Sequence, residues 1–253
     1  MIWFVGAGSG DIELITLKGK RLLEEADQII YAGSLVNPDL LNFARPDALI
    51  FDSAKMTLEQ VLECMQSAEL RGQMTVRLHT GDPSLYGAIR EQMDELDTKG
   101  ISYAVVPGVS SFSAAAAALQ EEYTLPGVSQ TLILTRMAGR TPVPENESIA
   151  TLAAHGASMA IFLSAGMLEE LQAELLKGAY NEKTPVALVY KASWPDEKIV
   201  RCTLDTLAVS GSEQGISKTA LVLVGDFMGD SYLRSQLYHP DFATEFRAVE
   251  STT

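Results

Sequence analysis

The chain has 253 residues, 47% of them hydrophobic and 21% charged, as in ordinary globular proteins. A net charge of −14 argues against a nucleic-acid partner, because phosphate binding wants a basic face. No apolar run approaches the ~20 residues of a membrane span, no secretory signal opens the chain, and only two cysteines occur, Cys64 and Cys202, neither near another ligand in sequence. A cytoplasmic protein without a membrane segment, a disulfide framework or a protein-bound metal is expected.

Short apolar runs alternate with helical patterns from the N-terminus onward. "IWFVGAG" reads as a strand, and "TLKGKRLLEEAD" as a helix with Leu17, Leu22, Leu23 and Ala26 at helical spacing. "QIIYAG" and "ALIFDS" are strands. Thr57 and Gln60 have capping-box spacing at the head of "TLEQVLECMQSAELRG", and Gly72 is its stop. "MTVRLHTGDP" is a strand running into a turn, "LYGAIREQMDELDTKG" a helix, "ISYAVVPG" a strand and "SSFSAAAAALQ" a helix. This alternation predicts a mostly parallel sheet covered by helices. The second half, from "QTLILTR" through "SMAIFLSAG", "MLEELQAELLKG", "TPVALVYKAS" and "KIVRCTL" to "TALVLVGDF", has more consecutive strands and predicts a mixed sheet. The boundary is set at "LPGVS", giving domains 1–124 and 125–253. Prolines mark residues 138–148 as a long loop. Residues 230–253 have weak periodicity and read as a loosely docked tail.

The glycines Gly6, Gly8 and Gly10 sit where nucleotide folds place their first turn. A dinucleotide fingerprint would need a third spaced glycine where Asp11 stands, and an acid at the end of the second strand, which ends "IIYAG". A phosphate loop would need a terminal Gly-Lys-Ser/Thr, which "GSGDIE" lacks. The loop is therefore either a plain strand-to-helix turn or a ligand loop of another kind.

Two further turns end strands on the same sheet edge. In "HTGDPSLYG", Gly81 permits close backbone approach, while Asp82 before Pro83 is either a helix cap or a ligand group. In "VVPGVSS", Ser110 and Ser111 open a helix. Ligands of open α/β sheets bind at strand carboxyl ends. The three histidines are scattered, and only His79 adjoins one of these turns. Arg136 and Arg140 flank the end of a strand and are candidates for an anionic ligand.

Together, "VGAGSGDIELITLKG", "GDPSLYGAIREQ" and "VVPGVSSFSAAAAAL" resemble the tetrapyrrole methylases, over roughly residues 2–228. "IIYAGSLVNP", "SQTLILTRMAGRTPVPE", "LAAHGASMAIFLSAGM" and "VALVYKASWPDE" look most like the branch that methylates C11 of precorrin-4 or cobalt-precorrin-4 in cobalamin biosynthesis. The resemblance implies a two-domain α/β fold with the donor, S-adenosylmethionine, held between the domains, a tetrapyrrole substrate, S-adenosylhomocysteine as product, and a homodimer. It assigns donor binding to Thr80, Gly81, Asp82, Leu85, Ser110, Ser111, Leu163, Ala192, Thr219 and Ala220. It places the glycine loop on the tetrapyrrole side, with Gly8, Gly10, Asp11, Arg90, Arg136 and Arg140 as substrate candidates. Ser9 stands where the family usually has proline, which is expected to loosen the turn. Ala32 stands where sirohaem-type relatives carry an aspartate proposed as a base, so no catalytic base is carried over.

Overall fold

Five apolar runs of the N-terminal half pair as one sheet: Ile2–Gly6 (β1), Gln28–Tyr31 (β2), Leu49–Asp52 (β3), Thr75–His79 (β4) and Tyr103–Val106 (β5). The computed structural model describes residues 1–239 and 241–247. The order is β3-β2-β4-β1-β5 and each pairing is parallel. The period of two along each strand sends Val5, Ile29, Val76 and Leu78 to one face and Ile2, Phe4 and Ile30 to the other.

Helices cover both faces. Leu17–Glu25 (α1) starts at Thr16, whose Oγ1 accepts from Gly19 N at 3.0 Å, and it buries Leu22, Leu23 and the following Ala26 on the first face. Leu17, expected on that apolar stripe, is 89% exposed: as the first helical residue it precedes the turn that packs. Leu58–Leu70 (α2) carries the capping box read from Thr57 and Gln60, and buries Val61, Leu62 and Met65 on the second face. Ile89–Thr98 (α3) adds Leu96 to that cluster. Ser111–Leu119 (α4) follows β5 and buries Ala114, Ala115 and Leu119, while Ala117 faces solvent.

The α3 segment corrects one expectation. The pattern places the helix start near Leu85, with Asp82 either its cap or a ligand group, but the helix begins at Ile89. Tyr86 (φ 57°) and Ala88 (φ 48°) are left-handed, and a side chain on Gly87 would meet Pro83 O at 2.3 Å. Left-handed residues cost roughly 1–2 kcal/mol each and cannot propagate an α-helix. Residues 83–88 are therefore a tight turn, and Asp82 is left for another task.

The second sheet is built from Leu132–Arg136 (β6), Ser158–Phe162 (β7), Pro185–Tyr190 (β8), Lys198–Thr203 (β9) and Ala220–Val224 (β10), in the order β6-β7-β10-β8-β9. β6 and β7 are parallel, whereas β10 runs antiparallel to both β7 and β8, so this sheet is mixed. Ile149–Ala153 (α5), Leu168–Leu175 (α6) and Leu207–Glu213 (α7) pack on it through Ile149, Leu168, Leu171, Leu175 and Leu207. Residues 138–148 form the expected loop, broken by one short turn at Glu145–Glu147. The start of the C-terminal tail is tied by Leu233 N donating to Pro126 O at 2.9 Å. The rest of the tail lies partly outside the described residues.

The chain divides into two compact units. The first is Met1–Ala118 together with Lys191–Lys198, and the second is Leu119–Tyr190 with the chain from Ile199 onward. The short piece Lys191–Lys198 leaves β8 and packs with the N-terminal unit.

Candidate functional site

In the first unit, the carboxyl ends of β1, β4 and β5 converge on three glycines. A Cβ on Gly108 would lie 2.2 Å from Gly81 O and 2.8 Å from Gly6 Cα. A Cβ on Gly6 would lie 2.6 Å from the Gly108 backbone and from Gly81 O. Only glycine allows three backbones this close. Ala7 N donates to His79 O at 2.7 Å, and Gly8 and Gly81 exchange backbone bonds of 3.3 and 2.8 Å. The glycine loop is thus stitched to the turn after β4.

Asp82 joins the turn after β4 to the turn after β5. Its Oδ2 accepts from Gly108 N at 2.9 Å, and its Oδ1 accepts from Ser84 N at 2.8 Å and from the Ser84 hydroxyl. Partial burial alone would raise the carboxyl's pKa, but these three donors outweigh it and hold the group below the usual carboxylate range. Gly81 is left-handed (φ 59°), a Cβ on it would lie 3.5 Å from Ser110 Cα, and Ser111 is the first residue of α4. Leu85 N closes the turn by donating to Asp82 O at 3.2 Å. Beside this turn the Thr80 hydroxyl is buried without a hydrogen-bond partner among the described residues. Buried hydroxyls are rarely left so, and here the free group adjoins the convergent turns.

Behind the turn, His79 is 3% exposed, its Nε2 has no partner among the described residues, and Phe4 packs 6.0 Å from its ring. Desolvation, helped by the buried Arg77 guanidinium, pushes its pKa down to about 3. The imidazole is therefore neutral at neutral pH. The unfolded chain takes up this proton near pH 6.5 and the folded chain not until about 3, so stability falls as pH drops through that window. Urea unfolding at pH 7 and pH 5 is expected to show a loss of about 2 kcal/mol from this group, and His79→Phe is expected to remove it. An unchanged slope in the variant would contradict the assignment.

The glycine loop itself is covered. Gly8 and Gly10 are buried and Asp11 is exposed. Asn37 Nδ2 donates to Gly10 O at 2.8 Å, and Trp194 Nε1 donates to Ser9 O at 2.9 Å. Ser9 Oγ and Ser193 Oγ are 2.8 Å apart, and Asp11 N donates to Ser193 Oγ at 3.1 Å. The expected loosening at Ser9 does not occur: the residue is 6% exposed, and its hydroxyl bond anchors the loop. Ala192, 6% exposed, lies between two left-handed residues, Lys191 and Ser193.

In the second unit, Leu163 follows β7 and Thr219 precedes β10. The antiparallel register puts Leu163 and Ala220 on one sheet edge. Leu163 (φ 54°) and Thr219 (φ 55°) are both left-handed, and Leu163 is 65% exposed. Strain of this kind in non-glycine residues persists where the surroundings demand it and clusters at functional sites. β6 runs parallel to β7, so the Arg136–Arg140 loop leaves the same edge, with Met137 N donating to Ser164 Oγ at 3.0 Å.

A profile of the family described as tetrapyrrole (corrin/porphyrin) methylases matches residues 1–208. The chain is a tetrapyrrole methylase. This methylase is 54% identical to the cobalt-precorrin-4 C(11)-methyltransferase of Methanocaldococcus jannaschii, over 96% of this chain and 94% of that one. It is 44% identical to the precorrin-4 C(11)-methyltransferase of Mycobacterium tuberculosis, over 96% and 99% of the two chains. Among solved structures, it resembles the X-ray structure of a cobalamin biosynthetic enzyme, cobalt precorrin-4 methyltransferase, with a TM-score of 0.89 and 46% identity, covering 90% of this chain and 96% of that one. It also resembles the uroporphyrin-III C-methyltransferase of Thermus thermophilus complexed with S-adenosylhomocysteine, with a TM-score of 0.76 and 28% identity over 89% and 97% of the chains.

Of the methylase's three candidate arginines, two are engaged. Arg90 Nε pairs with Asp94 at 2.7 Å on the exposed side of α3. Arg136 donates to the carbonyls of Met137, Thr141 and Pro142, holding the loop. Arg140 is exposed, with no ion pair among the described residues. Gly108, Asn37, Ser193 and Trp194 emerge only from the structure, as does the close approach of Gly6 to Gly108. A glycine at the end of each of two strands was a readable sign for Gly6 and Gly108. Nothing local marks Trp194, which is 185 residues from its partner Ser9.

Proposed function

We propose that the chain transfers a methyl group from S-adenosylmethionine to C11 of precorrin-4 or of its cobalt complex, as an enzyme of cobalamin biosynthesis. The observation that carries this reading is the near end-to-end match to relatives of that activity. Identity falls to 32% for a uroporphyrinogen-III C-methyltransferase. When bound, the donor supplies a methyl group already activated on a sulfonium. The chain's task is then to hold and orient the two reactants and exclude water, and proximity alone can contribute ~7–11 kcal/mol.

The residues present fit the donor. The unpartnered Thr80 hydroxyl offers a hydrogen bond to a polar group of the ligand. Gly81 lets the backbone approach closely, Leu85 adds apolar surface, and Ser110 and Ser111 present the start of α4. Asp82 acts by holding these turns together. Ala192 and, in the second unit, Leu163, Thr219 and Ala220 are also assigned to the donor. No catalytic base is assigned, and Ala32 offers none. The glycine loop, through Asp11, faces the tetrapyrrole. Any cobalt belongs to the substrate. The working form is a homodimer in the cytoplasm, with both cysteines free thiols. Among the described residues no helix is long and apolar enough to cross a membrane.

A precorrin carries several carboxylates, and this chain is acidic, so a local cation is needed. Arg140 fills that role, since Arg90 and Arg136 are already paired. Arg140→Ala is expected to raise the KM for the tetrapyrrole about tenfold, the worth of a charge-assisted hydrogen bond. Calorimetry should show unchanged affinity for S-adenosylhomocysteine, and equal loss of both would contradict the role. Initial rates with the metal-free and cobalt-bound precursors, run in parallel, select the pathway branch. Methylation of neither, with S-adenosylhomocysteine still bound, would move the reaction to another ring carbon.

A further inference from the structure

We propose that Ser193 and Trp194 are positioning residues for the tetrapyrrole, acting through the glycine loop. The proposal rests on the reading above that this loop faces the substrate. Residues 6–10 carry almost no side-chain mass, and Gly8 is left-handed (φ 79°), so the loop has little of its own to define its shape. One side is fixed by β4 and its turn. The other is fixed by Lys191–Lys198, a piece that leaves the second sheet and packs with the first unit.

Three hydrogen bonds join this piece to the loop: Trp194 Nε1 donates to Ser9 O, Ser193 Oγ bonds Ser9 Oγ, and Asp11 N donates to Ser193 Oγ. The fit is close enough to dictate sequence: a Cβ on Gly10 would sit 2.0 Å from the Trp194 ring. The piece is itself held in a costly shape. Lys191 (φ 47°) and Ser193 (φ 68°) are both left-handed. Ser193 N donates to Glu197 Oε2 at 2.6 Å, Lys191 Nζ pairs with Asp196 at 2.6 Å, and the same ammonium lies 5.1 Å from the centre of the Trp194 ring. Strain of this kind is kept where its surroundings over-determine it. Its product is a fixed Ser9–Asp11 backbone, with Asp11 the exposed member.

Ser193→Ala and Trp194→Phe each remove hydrogen bonds to the loop and keep the bulk of the contact. Each is expected to raise the tetrapyrrole KM about tenfold, with kcat within about twofold and S-adenosylhomocysteine affinity unchanged. Ser9→Ala should raise KM less than Ser193→Ala, because Asp11 N keeps its acceptor, and the double variant should be no worse than Ser193→Ala alone, because Ser193→Ala already removes the bond to Ser9. Gly8→Ala, which drives a Cβ to 2.8 Å from Leu14 O, disturbs the loop independently. If Gly8→Ala raises KM and the Ser193 and Trp194 variants do not, the positioning role is overturned while the loop's assignment stands. If Gly8→Ala instead weakens S-adenosylhomocysteine binding at unchanged KM, the loop is not substrate-facing and both ideas fall.

Discussion

Gly108→Ala is expected to lower stability by about 3 kcal/mol and to weaken S-adenosylhomocysteine binding by more than about tenfold, the outcome of overpacking at a point with no give. The added Cβ would meet Gly81 O at 2.2 Å and the Gly6 backbone at 2.8 and 3.0 Å. All three neighbours are main chain, so no side chain can turn aside. The strand ends must separate, and the turns that carry Thr80, Gly81, Ser110 and Ser111 separate with them. Gly100→Ala is the control. Gly100 is left-handed (φ 65°), but a Cβ there has open space. It should cost about 1–2 kcal/mol of backbone strain and leave ligand affinity unchanged. Urea unfolding and calorimetry on the two variants make the comparison. Equal ligand affinity in both would show that the convergence does not serve the site.

Asp82→Asn is expected to reduce donor affinity about 10- to 100-fold, because at least one of the three groups that donate to the carboxylate is left unmet. The carboxylate accepts from Gly108 N through one oxygen and from Ser84 through the other. An asparagine amide offers one acceptor and turns its NH2 toward a second donor. The variant should also lose an acid-sensitive contribution to stability. The native carboxyl titrates below its unfolded value, so its contribution is present above about pH 4 and is lost as pH falls through the lower folded value. This window lies below most of the His79 window, so measurement at pH 5 reports His79 and measurement below pH 4 adds Asp82. An Asp82→Asn enzyme with native donor affinity would mean that the two turns hold their places without the brace.

Much of the fold was readable because its cues are local. Period-two strands bounded by glycine, and the Thr57 capping box, need no knowledge of the rest of the chain. The α3 start was misread because Asp82-Pro83 has the local chemistry of a helix cap. The tertiary bond from Asp82 to Gly108 N, which no local pattern carries, shows where the carboxylate is used instead. The site was half legible for the same reason. Its convergent turns come from strand ends, which sequence patterns locate. The covering of the glycine loop comes from Ser193 and Trp194, whose partners are 184 and 185 residues away. Ser9 illustrates the limit well. Taken alone, replacing a proline there removes stiffness, but the structure restores it with a hydroxyl on a distant segment.

The most direct test is to supply S-adenosylmethionine labelled with 13C in its methyl group to the purified protein with precorrin-4 and cobalt-precorrin-4, and to locate the label by NMR. A single labelled methyl on C11 of either product is the predicted result. Label on a different ring carbon, or none at all from protein that binds S-adenosylhomocysteine, would contradict it.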